Sequence, residues 1–335
     1  MAASVRDVAA RASVSVGTVS NVLNRPEKVA PATVARVMDA IEALGFVRND
    51  AARQLRAGRS RSIGLVVLDV RNPFFTDIAR GAEDRAAGDE LAVLLGNSDE
   101  DVGREGAYLD LFEEQRVHGL LISPLADDLP RLERLRSRGT PVVLVDREAG
   151  DRSFSSVAVD DLVGGELAVR HLIETGRRRI AYVGGPDSIR QVTDRLAGAR
   201  RAAEGTAAAI EVIPTASLTV AEGHRAGAAI RSRPRGERPD AVFAANDLLA
   251  IGVLQGLLAD RDVRVPDEIA LIGYDDIDFA AAGVVPLSSI RQPAQLIGST
   301  AVDLLLREAA AGPGFVREQI VFQPELVVRE STRGR

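Results

Sequence analysis

The sequence has no cysteine, no tryptophan, three histidines, two methionines and a single lysine, Lys28, in 335 residues. Without cysteine there is no disulfide framework, no thiolate metal site and no cysteine nucleophile, and His118, His171 and His224 lie too far apart in sequence to suggest a metal centre. Aromatic residues make up only 4% of the chain. Long hydrophobic runs are also missing: the stretch 63–68, IGLVVL, is far too short to span a bilayer. The first residues, MAASVRDVAARAS, lack a basic segment followed by an apolar one, so no secretory signal is expected and a cytoplasmic location is. No phosphate-binding P-loop, G-x-S-x-G or H-E-x-x-H pattern occurs. These absences argue against an enzyme, a membrane protein and any metal or cofactor requirement.

What is present is a 46% hydrophobic, 27% charged chain, the balance of a soluble globular protein, long enough for two or three compact units. One lysine beside 41 arginines reads as coding bias rather than a demand for guanidinium chemistry. Charge is unevenly spread. The first 59 residues carry nine basic groups against five acidic ones, although the whole chain is at −6. A basic head on an acidic body suits a nucleic-acid contact confined to the head, and +4 alone also suits an ordinary solvated surface.

Residues 4–45 read as three short helices. Ser4 caps the first with Asp7 as its reciprocal partner, and Ser15 caps the second. Pro31 opens the third, and Gly45 closes it. In the second helix Val19, Val22 and Leu23 face inward, leaving Val16, Gly17, Ser20 and Asn21 outward. The tight turn at 13–15 fits a helix-turn-helix, whose second helix enters the major groove, and a plain three-helix bundle has the same pattern. Residues 48–60, RNDAARQLRAGRS, offer little apolar surface and read as a linker. From residue 61 apolar runs at 63–67, 91–95, 119–123, 141–145, 180–183, 241–244 and 269–272 alternate with helical patterns such as 75–87, 104–115, 162–174 and 247–259. That alternation predicts an α/β body of doubly wound parallel sheets, too long for one core and so divided into two lobes. Ligands in such lobes gather at the carboxyl ends of the strands.

Over residues 4–330 the sequence resembles the lactose/galactose repressor family of bacterial transcription regulators. The resemblance rests on VSVGTVSNVLNRPEKVAPATVARVMDAIEALGFVRNDAARQLRAGRS at the head. It continues with IGLVVLDVRNPFF, GLLISPL, VVLVDRE, HLIETGRRRIAYVGGP, RLAGAR, AVFAANDLLAIGVL, VPDEIALIGYDD and PLSSIRQP in order. It implies a helix-turn-helix domain at 1–47, a hinge helix at 48–60, and a periplasmic-binding-protein-like body at 61–330. The implied lobes are 61–160 with 291–320, and 161–290 with 321–330.

By the same resemblance Val16, Gly17 and Asn21 read base edges, Thr18 and Ser20 position the helix on phosphates, and Ser15 belongs to the same DNA-binding set. Val16 can touch only an apolar edge and Gly17 has no side chain, which leaves Asn21 as the candidate for a bidentate contact to adenine, with a bond to phosphate alone as its other open role. Leu55 falls where family members push a leucine into the minor groove, with Ala51 and Ala52 permitting close approach and Arg53 and Arg56 holding phosphates or groove edges. In the body, Asn72, Phe74, Phe75, Asp146, Arg147, Arg195, Asn246, Asp275 and Gln292 match ligand-contacting positions of ribose-type sugar-binding proteins. Carboxylates, guanidinia and carboxamides suit a ring of hydroxyls, and aromatic faces suit its C–H surface. Each residue also has a bland role open to it: Asp275 as a helix cap, Arg195 as partner of a neighbouring carboxylate, and the two Phe as core. Where relatives carry a second aromatic wall this chain has Leu218.

The expectation is a homodimeric repressor on a palindromic operator, controlled by a small-molecule effector such as a pentose or hexose. The alternatives are the same regulator with a nucleobase or phosphosugar corepressor, or a sugar receptor with no DNA role.

Overall fold

The capping expected at the amino terminus is present in the computed structural model, which describes residues 3–46, 60–125, 130–150, 153–260 and 262–333. Helix α1 (Val5–Arg11) starts at Ser4, whose hydroxyl accepts from the Asp7 N–H at 3.3 Å while the Asp7 carboxylate accepts from the Ser4 N–H at 2.8 Å. Helix α2 (Val16–Asn24) starts at Ser15, which accepts from the Thr18 N–H at 3.0 Å. Each such cap is worth about 1 kcal/mol. Helix α3 (Pro31–Leu44) begins on its proline and ends at Gly45, whose φ of +57° is the left-handed conformation a helix stop uses. Val8, Val19 and Val37, one from each helix, have no exposed surface and form the centre of this small core. Burying each stabilises the head by roughly 1.5–3 kcal/mol. The linker expected at 48–60, including Ala52, Arg53, Leu55 and Arg56, falls outside the described residues except for Ser60.

The chain divides into two compact units, Met1–Arg59 and Ser60–Arg335. The second holds two six-stranded sheets. The first sheet contains β1 (Ser62–Val67), β2 (Ala92–Asn97), β3 (Gly119–Ile122), β4 (Val142–Val145), β5 (Ser155–Val159) and β11 (Gln319–Phe322), in the order β11-β5-β4-β3-β1-β2, all parallel. The second contains β6 (Arg179–Gly184), β7 (Ala209–Pro214), β8 (Ala241–Ala244), β9 (Ala270–Asp275), β10 (Ser288–Arg291) and β12 (Glu325–Val327), in the order β12-β10-β9-β8-β6-β7, with β12 alone antiparallel. The central strands are continuous apolar runs because helices cover both faces. Edge strands β2 and β7 alternate or expose their side chains instead, with Leu94 and Leu95 of β2 open to solvent. The run expected at 91–95 is accordingly displaced to Ala92–Asn97.

Helices α4 (Pro73–Ala87), α5 (Val102–Glu114), α6 (Pro130–Ser137) and α12 (Ala294–Ala311) belong to the first lobe. Helices α7 (Asp161–Glu174), α8 (Arg190–Ala203), α9 (Val220–Ser232), α10 (Asp247–Leu258) and α11 (Asp278–Ala282) belong to the second. The chain passes between sheets three times, at Asp160, at 292–293 and at 323–324. In each sheet one early strand, β1 or β6, has its successor on one side and a later strand on the other. Such switch points open a crevice at the strands' carboxyl ends, and the two crevices face one cleft. No helix among the described residues is long and apolar enough to cross a membrane.

Candidate functional sites

In the head, the outward face of α2 is as the helical period predicts. Ser15, Val16, Gly17 and Asn21 are exposed, and Thr18 and Ser20 are half-buried. The Thr18 hydroxyl is tied to Ser15 at 2.9 Å and the Ser20 hydroxyl accepts from Asn24 Nδ2 at 3.3 Å. Among the described residues the Asn21 side chain takes no hydrogen bond, so its carboxamide is available to a partner outside the fold.

In the body, one cavity between the lobes collects seven of the nine side chains nominated from the sequence: Asn72, Phe74, Phe75, Asp146, Arg195, Asn246 and Asp275. It spans about 410 Å³ of atom-free space, mouth included. Its walls come from the segments that follow β1, β2, β4, β6, β7 and β8, and from the end of β9.

Local structure aims these side chains. Asn72 caps α4 by accepting from the Phe74 N–H at 3.1 Å, which leaves its amide to donate to Asp275 Oδ2 at 2.8 Å across the cleft. Phe74 and Phe75, in the first turn of α4, pack edge to face with centroids 5.1 Å apart. Both are core and cavity wall at once. Asn246 caps α10 through the Leu249 N–H at 2.9 Å and donates to the Leu218 carbonyl at 3.3 Å. Asp275 ends β9 rather than capping a helix. Its φ of +104°, followed by +56° at Asp276 and matched by +57° at Asp146, is backbone a non-glycine residue rarely adopts. Such strain costs about 1–3 kcal/mol per residue and persists where the surroundings over-determine it.

Part of that determination is Asp247, fully buried, whose carboxylate accepts from the Ile277 N–H at 2.9 Å and the Ser289 hydroxyl at 2.7 Å. Ser289 in turn accepts from the Asp276 N–H at 3.1 Å. Gly273 is required beside this carboxylate, since a Cβ there would lie 2.1 Å from Asp247 Oδ1. Burial holds the Asp247 carboxyl well above its ordinary range.

Arg195 is the electrostatic centre. It is buried, its Nε donates to Asp161 Oδ1 at 2.7 Å, its Nη1 donates to the Ala245 carbonyl at 2.8 Å, and its guanidinium lies 3.6 Å from the centroid of the Tyr274 ring. Asp275 Oδ1 is 3.9 Å from Nη1. The alternative of a carboxylate-paired arginine is therefore correct, and the partner is Asp161, while Arg195 also lines the cavity. Burial opposes the Arg195 charge, but the surrounding carboxylates outweigh it and raise its pKa. Helices α7 and α8 reach this geometry by close backbone contact: a Cβ on Gly165 would lie 2.0 Å from the Arg195 carbonyl. Asp146 accepts from Gln191 Nε2 at 2.9 Å, again across the cleft, and its Oδ1 has no partner among the described residues. Burial raises the Asp146 carboxyl and lifts Asp275 to about 6 against the pull of Arg195.

Two nominated residues stand outside the cavity wall. Gln292 lies just behind it, donating to Asp275 Oδ1 at 2.8 Å. Arg147 donates to the Pro124 carbonyl at 3.2 Å and lines a neighbouring acidic recess with Glu148, Asp160 and Asp194. Sequence reasoning passed over Asp161, Gln191, Tyr274, Asp247 and Glu100. Leu218 does line the cavity, so an aliphatic side chain stands on that side. Among the described residues no group of three or more His, Asp or Glu is arranged to hold a metal ion.

A family model described as bacterial regulatory proteins of the lacI family matches residues 4–49, and one described as a periplasmic binding protein-like domain matches residues 169–332. The chain is 33% identical over 338 residues to the HTH-type transcriptional repressor PurR of Aliivibrio fischeri (strain MJ11), covering 99% of each protein. It is 37% identical over 305 residues to the ribose operon repressor of Bacillus subtilis (strain 168), covering 91% of each. Among solved structures, the lac repressor dimer bound to operator and the anti-inducer ONPF superposes with a TM-score of 0.85 at 26% identity, over the full length of both chains. A LacI family transcriptional regulator from Enterococcus faecium with bound ribose superposes at 0.73 with 28% identity, over 81% of this chain and 98% of that one. Full-length identity of this order, together with the matched head, makes the chain a member of the lacI family of bacterial regulatory proteins.

Proposed function

We propose that this protein is a homodimeric, sequence-specific transcriptional repressor that acts in the cytoplasm on a palindromic operator and responds to a monosaccharide. What carries the reading is one combination. A helix-turn-helix face with an uncommitted Asn21 precedes a cleft where Asn72, Asp146, Arg195, Asn246 and Asp275 converge from strand ends of both lobes. Carboxyl, guanidinium and carboxamide groups meet in that cleft, the kinds of partner a ring of hydroxyls requires. Ribose bound to one relative of similar fold, and the ribose operon named for others, favour a pentose.

The mechanism is linkage. The polar contacts that cross the cleft, Asn72 to Asp275 and Gln191 to Asp146, are made to groups that the effector would also use. A ligand that replaces them changes how the lobes meet. If only one lobe arrangement brings the two hinge segments of a dimer together on DNA, effector and operator modulate each other's affinity by equal factors. A second reading keeps the DNA binding and makes the ligand a nucleobase corepressor. An aliphatic Leu218 supplies no second stacking face for a base, which favours the sugar.

Calorimetric titration of the protein with ribose, other pentoses, hexoses and purine bases separates the two readings. Saturable sugar binding that is lost in Asp275→Asn supports the proposal, and purine binding with no response to any sugar refutes it.

A further inference from the structure

Glu100 has no part in the account so far. It follows β2 in the stretch NSDED and lines the cavity beside Leu68, Asp69 and Leu218. Its φ of +57° continues the left-handed turn begun at Asp99, and its N–H donates to the Leu68 carbonyl at 3.2 Å. That places Glu100, from the first lobe, on the same cavity wall as Leu218 of the second. This is the side of the cavity where the wall is aliphatic.

The charges around the cavity are unbalanced. Asp69, Glu100, Asp146 and Asp275 all line it, and among the described residues Arg195 is the one cation that does. Arg195 is already engaged by Asp161 and the Ala245 carbonyl. Asp69 is matched from outside by Arg71, whose Nε lies 2.9 and 3.0 Å from its two oxygens. Arg147 donates to Pro124 and does not line the cavity. A phosphoryl group on a bound sugar carries about −1.5 to −2 charges. Directed toward Asp146 or Asp275 it meets a carboxylate, and directed toward Leu218 it meets Glu100. A hydroxyl in the same place can donate to Glu100, and the methylene bearing it can rest on Leu68 and Leu218.

Resting on the sugar reading above, we infer that Glu100 is a specificity-determining residue that admits the hydroxyl end of an unphosphorylated sugar and rejects its phosphate ester. Burial and the neighbouring Asp69 raise the Glu100 carboxyl to about 7 against the pull of Arg71, so its charge, and with it the rejection of a phosphate, is complete only above that pH.

The test is calorimetric titration of the full chain with matched pairs, ribose and ribose 5-phosphate, glucose and glucose 6-phosphate. It is run on wild type, Glu100→Gln and Glu100→Asp. Wild type binds the parent sugar on the order of a hundredfold more tightly than its phosphate, and Glu100→Gln gains on the order of tenfold for the phosphate, the size expected for removing one like charge from a partly buried site. Glu100→Asp keeps the discrimination. Loss of affinity through misfolding would weaken both members of a pair, so a gain for the phosphate is specific to the charge. Equal affinity for sugar and phosphate in wild type, or an unchanged ratio in Glu100→Gln, overturns the inference and leaves the sugar reading standing. Failure of every pair to bind wild type overturns the sugar reading, and this inference with it.

Discussion

Replacing Arg195 by alanine removes the cation that holds three buried carboxylates together. Asp161 loses a 2.7 Å ion pair, Asp275 loses a positive charge 3.9 Å away, and Asp146 loses the positive charge that opposes the effect of its burial. The Ala245 carbonyl loses a donor at 2.8 Å and the Tyr274 ring loses the guanidinium packed on its face. Breaking a buried pair by removing one partner typically costs about 3–5 kcal/mol, because the remaining charge is left unpaired in a dry site. For a domain of this size that corresponds to a fall in melting temperature on the order of 10 °C. Calorimetry and urea unfolding of Arg195→Ala, Asp161→Asn and the double variant measure it as a thermodynamic cycle. The double variant should be less destabilised than the sum of the singles by on the order of 1–3 kcal/mol, since removing the orphaned charge relieves the penalty. An Arg195→Ala protein within about 1 kcal/mol of wild type, or additive singles, would refute the assignment of Arg195 as the electrostatic centre.

Four further outcomes are expected, two in the cleft and two in the DNA-contacting segments. Asp275 titrates near 6 when folded, above an unfolded carboxyl, so the native state holds a proton that the unfolded chain has released. Its contribution to stability is present in acid and is lost as pH rises from about 4 to 6, so the urea midpoint of Asp275→Asn should decline less over that interval than that of wild type. An equal decline would show that Asp275 is not the group titrating. Asp247→Ala removes the acceptor for the Ile277 N–H and the Ser289 hydroxyl, so it should cost on the order of 1–3 kcal/mol of stability and weaken sugar binding through Asp275, as read by unfolding and titration. Unchanged sugar affinity in a folded Asp247→Ala protein would show that the turn does not need it. Asn21→Ala should relax preference at one symmetric pair of operator positions by about 1–3 kcal/mol, and Leu55→Ala should weaken specific DNA more than non-specific DNA. Unaltered site selection in the first case, or equal losses in the second, would refute those two roles.

The legible parts of the fold are those with a local signal. Strands β1, β3, β4, β6, β8 and β9 each contain an apolar run because both faces are covered, and the caps at Ser4 and Ser15 are written in three or four residues. Strand β5 opens on Ser155 and Ser156, both buried, so composition hides a strand that burial places in the sheet interior. Edge strands β7 and β11 bury too little on either face to leave a run, and β12 is three residues long. Helix α12, interrupted by Gly298 and Ser299, reads weakly as a helix because its glycine serves close packing on α4. In the site, motif-bound residues such as Asn72 and Asp275 were within reach of the sequence. Asp161 reads only as part of a helix start, Tyr274 only as strand core, and Glu100 only as one charge in an acidic loop. Their roles arise from contacts between segments tens of residues apart, for which no local spacing gives a sign.

The most direct test of the central claim is fluorescence anisotropy of a labelled palindromic duplex, selected from random sequence, titrated with the protein at several salt concentrations with and without saturating sugar. One dimer per duplex is expected, with a steep negative slope of log affinity against log salt and an effect of sugar on operator affinity that disappears in Asp275→Asn. Binding by a single monomer, affinity indifferent to salt, or an operator affinity that no sugar changes would contradict the claim.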